Sequence, residues 1–127
     1  MKMQYAMTLG VLAGFGIGAV AVHTLHAQAK PPVYYISEIE VTDIDGYTKE
    51  YAPKVQGTAK AGGGRLLAAG QKVTAFEGPA PKRAVVQVWD SVEKIEAWRN
   101  SAEYKENRKI GDKYAKFRAY AVEGLPQ

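Results

Sequence analysis

Six side chains in this sequence carry the strongest suggestion of chemistry: Tyr51, Trp89, Trp98 and Tyr104, together with Arg65 and Arg108. They combine large apolar area, hydroxyl and indole donors and two guanidinium groups. Such a set suits a cleft for a small organic ligand with an acidic or carbonyl group. A tyrosine there can act as an acid or hydrogen-bond donor, and an arginine can stabilise a developing oxyanion. The same aromatics would equally well pack helices onto a sheet, so the pocket and the core remain competing accounts of them.

Other groupings have simpler explanations. Gly62-Gly63-Gly64-Arg65 resembles a phosphate loop in composition, but a phosphate loop runs from a strand into a helix. Here the order is helix into strand, which makes the glycines a helix C-cap and Arg65 an ion-pair or ligand-binding residue at a strand edge. Asp43-Ile44-Asp45 could pair carboxylates on a metal, yet one sits at a helix cap and the other where the helix dipole favours negative charge. No calcium-loop spacing follows. Lys105, Arg108, Lys109, Lys113, Lys116 and Arg118 are interleaved with Glu103, Glu106 and Asp112, the pattern of a solvated mixed-charge face. No metal, cofactor or nucleic-acid partner is expected from these residues.

The chain has 127 residues, no cysteine and a net charge of +4, consistent with one globular domain. Without cysteine there is no disulfide framework, thiolate metal site or thiol nucleophile. Its first 29 residues contain no acidic side chain. Lys2 precedes an apolar run from Tyr5 to Val22, and Ala27-Gln28-Ala29 fits the small-x-small pattern of a signal-peptide cleavage site. The expectation is a secretory signal over residues 1–29, cut after Ala29, and a mature domain over 30–127. The mature protein would occupy a bacterial periplasm or the exterior. The alternative is an uncleaved anchor in the inner membrane, with the domain facing the periplasm. Both histidines, His23 and His26, lie in the signal segment. A mature domain without His or Cys excludes a Ser-His-Asp triad, a histidine-ligated haem and a conventional zinc site.

The elements that must position the candidate residues follow from periodicity. Val33 to Val41 is β-branched and aromatic, a strand with Val33, Tyr35, Ile39 and Val41 on one face. Thr42-Asp43 caps a helix from about Ile44 to Ala61, with Pro53 expected to kink it or mark a boundary. Arg65–Ala69 and Lys72–Phe76 form one strand interrupted at Gly70, or a hairpin turning there. Residues 77–82, rich in Gly and Pro, form a loop. Arg83 to Trp89 is a strand, and Ser91 caps a helix. Ser101 recaps a second helical piece to about Tyr114, and Phe117 to Val122 is the last strand. This order is that of an α+β, ferredoxin-like split-βαβ sandwich. Leu66, Leu67, Val73, Phe76, Val85, Val86, Val88 and Trp89 make the strands apolar on both faces. The sheet face without helices therefore predicts a homodimer packed sheet to sheet.

Several short motifs, in order, carry a resemblance. They are YYISEIEVTD with Tyr47 and Tyr51 behind it, Gly63-Gly64-Arg65, and Glu77-Gly78 before Arg83. Trp89-Asp90-Ser91, Ala97-Trp98, Ser101-x-x-Tyr104, Arg108 and Val122-Glu123-Gly124 complete the set. Over residues 33–124 the chain resembles the domain-of-unknown-function family number 1330, within the dimeric α+β-barrel superfamily. The resemblance implies a ferredoxin-like protomer, a dimeric barrel and a ligand cleft between helices and sheet. It implies no particular reaction. Three functions are open. One is an exported small-molecule binding or accessory protein. A second is a cofactor-independent oxygenase or isomerase, with Tyr, Arg and a carboxylate such as Glu77 moving protons. The third is an interaction module tethered to the membrane by an uncleaved N-terminus.

Overall fold

The computed structural model describes residues 30–126. The signal segment expected over 1–29, with its Ala27–Ala29 cleavage pattern, lies outside the described residues. Strand β1 spans Val33–Val41. Three helical stretches then run without a break: α1 over Ile44–Gly46, a π-helical turn over Tyr47–Tyr51, and α2 over Ala52–Gly62. They are followed by β2 over Arg65–Gly70, β3 over Arg83–Trp89, α3 over Val92–Arg99, α4 over Ala102–Gly111 and β4 over Ala115–Glu123. The strands form one antiparallel sheet in the order β2-β3-β1-β4. That is the ferredoxin-like arrangement the element order predicts. Among the described residues no helix is long and apolar enough to cross a membrane.

The helix starts are encoded locally. The side chains of Asp43, Ser91 and Ser101 accept hydrogen bonds from the amides of Gly46, Lys94 and Tyr104. Each satisfies a donor that the first turn leaves orphaned. Gly63, at φ 112°, supplies the left-handed residue that closes α2. Pro53 marks a boundary, as expected, at the first turn of α2 where the π-helical turn ends, without interrupting the helical run. The turn before it widens, with the Ala52 amide donating to the Tyr47 carbonyl five residues back. A proline ring clashes with the carbonyl four residues earlier, and a π turn gives that carbonyl room.

One expectation is corrected. Lys72–Phe76 is not a strand, and β2 ends at Gly70. β2 pairs with β3 as Ala69 to Val85 and Gly70 to Ala84. Continuing that register would set Val73 against Pro81 and Ala75 against Pro79, which have no amide hydrogen to give to the ladder. Phe76 consequently stands 93% exposed on the connecting loop, and neither it nor Val73 belongs to the sheet. The helix expected to reach Tyr114 stops at Gly111.

The sheet's two faces differ. Val33, Tyr35, Ser37 and Ile39 of β1 and Val85, Gln87 and Trp89 of β3 are buried on the helix side. Two clusters form there. Val33, Tyr35, Ala59, Trp89, Ile95, Trp98 and Tyr104 make the first; Ile39, Tyr47, Tyr51, Ala52, Val85 and Ala115 make the second, and Val55 packs against both. The opposite face presents Tyr34, Ile36, Val86 and Val88, half-buried, beside the exposed Tyr120 and Val122. Glu38 on that face accepts hydrogen bonds from Arg118 and Tyr120 at 2.9 and 2.8 Å.

Helix α2 leads into β2 directly over Trp89. A methyl group on Gly64 would lie 2.5 Å from two carbons of that indole, whereas one on Gly57 would meet nothing within 4 Å. Gly64→Ala should therefore destabilise the domain by about 1–3 kcal/mol through overpacking. Gly57→Ala, on the exposed side of α2, should stabilise it by about 0.5–1 kcal/mol. Equilibrium urea unfolding separates the two; equal effects would refute the close approach at Gly64.

Candidate functional site

The sheet's helix side is not packed solid where the two core clusters meet. A cavity of about 40 Å³ lies there, between β1 and β3 below and α2 and α4 above. At ~10–15 Å³ per water, it has room for roughly three water-sized groups. Four of the six candidate residues line it: Tyr51, Trp98, Tyr104 and Arg108. Trp89 does not. It is 1% exposed, packs 5.1 Å from the Trp98 ring and belongs to the core. Arg65 lies outside the cavity, on an open groove between α2 and β2 that Gln56 and Gln87 share with it. Glu77 is exposed on the 71–82 loop, and the cavity lining contains no carboxylate.

The polar groups of the cavity are held by a connected set of hydrogen bonds. Arg99 Nη1 donates to the hydroxyl oxygens of Tyr35 and Tyr104 at 2.6 and 2.9 Å. Arg108 Nη1 donates to the Tyr104 hydroxyl at 3.1 Å, while its Nε donates to Asp112 Oδ1 at 2.9 Å. The Tyr104 oxygen thus accepts from two guanidinium groups, which uses both its lone pairs and leaves only its own proton to offer. Trp98 Nε1 is satisfied by Thr58 Oγ1 at 3.0 Å, so this residue presents only a ring to the cavity. Arg108 also lies over the Phe117 ring, 4.1 Å from its centroid, a contact that fixes the guanidinium plane.

Two further lining residues are buried, polar and uncharged. Ser37 and Gln87 are 9% and 6% exposed, yet both line the cavity. The Gln87 Oε1 accepts from Trp89 Nε1 at 2.8 Å. An indole nitrogen can only donate, so this bond assigns the amide's orientation and leaves its NH₂ as the group without a partner. Neither that NH₂ nor the Ser37 hydroxyl has a protein hydrogen-bond partner among the described residues. Sequence reasoning missed Tyr35, Ser37, Gln87 and Arg99. The signal available was parity: Ser37 falls between Tyr35 and Ile39 on the inward face of β1, and Gln87 between Val85 and Trp89 on that of β3. A polar residue at an inward strand position is the informative exception.

Three tyrosines of the site, Tyr35, Tyr47 and Tyr51, are acids held protonated. Burial, with help from Tyr104 and against the pull of Arg99, pushes the Tyr35 hydroxyl up to about 12. Burial also raises Tyr51 and Tyr47, the latter opposed by Arg83, whose guanidinium sits 5.3 Å from its ring centroid. At neutral pH they are donors and not bases. Since the folded-state value of Tyr35 exceeds its unfolded one, its contribution is complete below about pH 10. It is lost as pH rises through about 12. Unfolding free energy measured against pH should therefore be flat to about pH 10 and fall above it, with tyrosinate absorbance rising in the same window. Tyr35→Phe should flatten part of that fall; an unchanged alkaline profile would contradict the burial argument.

The fold has solved counterparts. A protein of unknown function from Rhodopseudomonas palustris, RPA0582, superposes with a TM-score of 0.64 at 14% identity, over 84% of this chain and 94% of that one. SnoaB, a cofactor-independent oxygenase from Streptomyces nogalater, superposes with a TM-score of 0.55 at 6% identity, over 76% of this chain and 96% of that one. At such identities the likeness is one of fold. None of the curated proteins matches the sequence. Residues 32–125 match a family model that takes in both core clusters and every candidate residue of the site, and the chain belongs to that family, described as a domain of unknown function, DUF1330.

Proposed function

We propose that this domain binds a small organic molecule in the cleft between α2, α4 and the sheet, and that the chain is exported to carry out that task. One observation carries the binding reading. The Ser37 hydroxyl and the Gln87 amide, each about nine-tenths buried, line the same cavity as Tyr104 and Arg108 without protein partners of their own. Both groups face the cavity, where a ligand with complementary groups can pair with them directly. Export rests on the features of residues 1–29: Lys2, the apolar run and Ala27-Gln28-Ala29. An uncleaved segment would instead leave the domain tethered to the inner membrane, facing the periplasm.

The binding reading ranks ahead of catalysis because of what lines the cavity. A cofactor-independent oxygenase or isomerase needs a base to ionise its substrate. The cavity offers no carboxylate, and Tyr35, Tyr47 and Tyr51 are pushed towards the protonated form. The likeness of fold to SnoaB keeps oxygenase chemistry as the second reading. Its proton would have to leave to solvent or to the substrate's own base.

The open sheet face supports a homodimer. Ile36, Val86 and Val88 form its apolar centre, with Tyr34, Tyr120 and Val122 beside them. A second copy packed on this face would bury that surface without covering the cleft, which lies on the other side of the sheet. Native mass spectrometry of protein from an exporting host tests these points together. The expected result is a dimer of chains beginning at Lys30, with retained small-molecule mass. Val86→Glu should give monomers that keep that mass. A monomeric wild type would sink the dimer, and full-length chains would replace export of a cleaved form by the tether. Absence of binding to every member of a broad metabolite panel would overturn the binding reading.

A further inference from the structure

The chemistry around the cleft narrows the class of ligand, given the binding reading above. Towards the cavity the site offers several donors, and its charged side chain is a cation. The Gln87 amide oxygen is occupied by Trp89, so its NH₂ remains. The Tyr104 oxygen is occupied by two guanidinium groups, so its O–H remains. Arg108 adds N–H donors, while the Ser37, Tyr47 and Tyr51 hydroxyls and the Gln56 amide can each donate or accept. A partner for this set must bring acceptors.

Charge points the same way. Arg83 and Arg99 form no ion pair with a carboxylate among the described residues, and only Arg108 of the three guanidinium groups near the site has one, Asp112. Arg99 is held instead by the hydroxyls of Tyr35 and Tyr104, and Arg83 by the Tyr47 ring. The Arg83 Nε is buried without a hydrogen-bond partner. Positive charge that exceeds the carboxylates paired with it, in a partly desolvated setting, favours an anion.

The outer groove supplies the rest. It has a volume of about 580 Å³ and shares Gln56 and Gln87 with the cavity as lining residues. Ala59, Gly64 and Leu66 give it apolar walls, and Lys60 and Arg65 stand along it. Neither cation has a carboxylate partner among the described residues. We infer that the ligand is an amphiphilic organic anion. Its carboxylate or enolate-like head enters the cavity against Gln87, Ser37, Tyr104 and Arg108, and its apolar body lies in the groove between α2 and β2. The cavity's size suits a head of a few heavy atoms, and the groove lies within the ~300–1,000 Å³ range of small-molecule sites.

The test is calorimetric titration of the full chain with octanoate, octanamide and octan-1-ol, which share a tail and differ in head. Octanoate should bind at least roughly tenfold more tightly than octanamide, because charge-assisted hydrogen bonds are about twice as strong as neutral ones. Gln87→Leu should abolish that preference. The exposed double variant Lys60→Ala/Arg65→Ala, which leaves the core untouched, should weaken octanoate several-fold at low salt and leave octan-1-ol unchanged. That variant keeps the question open to measurement if Gln87→Leu fails to fold. If octanamide or octanol binds as tightly as octanoate, the anionic class is wrong while the binding site stands. If octanoate binding is indifferent to all three substitutions, the ligand sits elsewhere and the inference falls. If no probe binds at millimolar concentration, the inference falls and the binding reading itself loses its support.

Discussion

The hydrogen bond from the Trp89 indole to Gln87 joins the stability of this domain to the chemistry of its cleft. Trp89 is the largest fully buried side chain among the described residues, and α2 passes into β2 directly above it. Its ring must be buried to hold the sheet and helices together, and burial obliges its N–H to find an acceptor. The acceptor is two residues away on the same face of β3. Once that oxygen is used, the orientation of Gln87 is settled, and a donor faces the cavity. The polarity of the site is thus set partly by a residue that does not line it.

The placement of all helices on one side of the sheet has two results. On the covered side, Val55 bridges two aromatic clusters that do not fully merge, and the cavity occupies their junction. On the other side, alternate residues of the same strands form an apolar centre with a charged end at Glu38 and Arg118. The two faces therefore serve separate purposes, and a change on one need not disturb the other.

Much of the fold was legible because its signals are local. Asp43, Ser91 and Ser101 read as caps from their own neighbourhoods, and the alternation of β1 and β3 needed nothing distant. Lys72–Phe76 misled for the opposite reason. Its strand-like composition is local, but the prolines that deny it a partner lie across the turn, and only the register between β2 and β3 reveals the conflict. The site divides in a similar way. Aromatic residues and charges announce themselves by type, and Tyr51, Trp98, Tyr104 and Arg108 do converge. Ser37, Gln87 and Arg99 were passed over because their role depends on which neighbours occupy their hydrogen-bonding atoms. Those neighbours include Tyr35, which lies 64 positions from Arg99.

The π-helical turn at Tyr47–Tyr51 bears on how this segment tolerates change in length. A π turn is equivalent to one residue inserted into an α-helix. Here the wide turn carries two buried tyrosines and lies just ahead of a proline that would otherwise collide with the preceding turn. Removing any one residue from Thr48–Glu50 would restore α-helical spacing and bring the Pro53 ring back against a carbonyl of the preceding turn. Evolutionary drift through this segment is accordingly freer in composition than in length, and Thr48, Lys49 and Glu50, all exposed, matter chiefly as spacers.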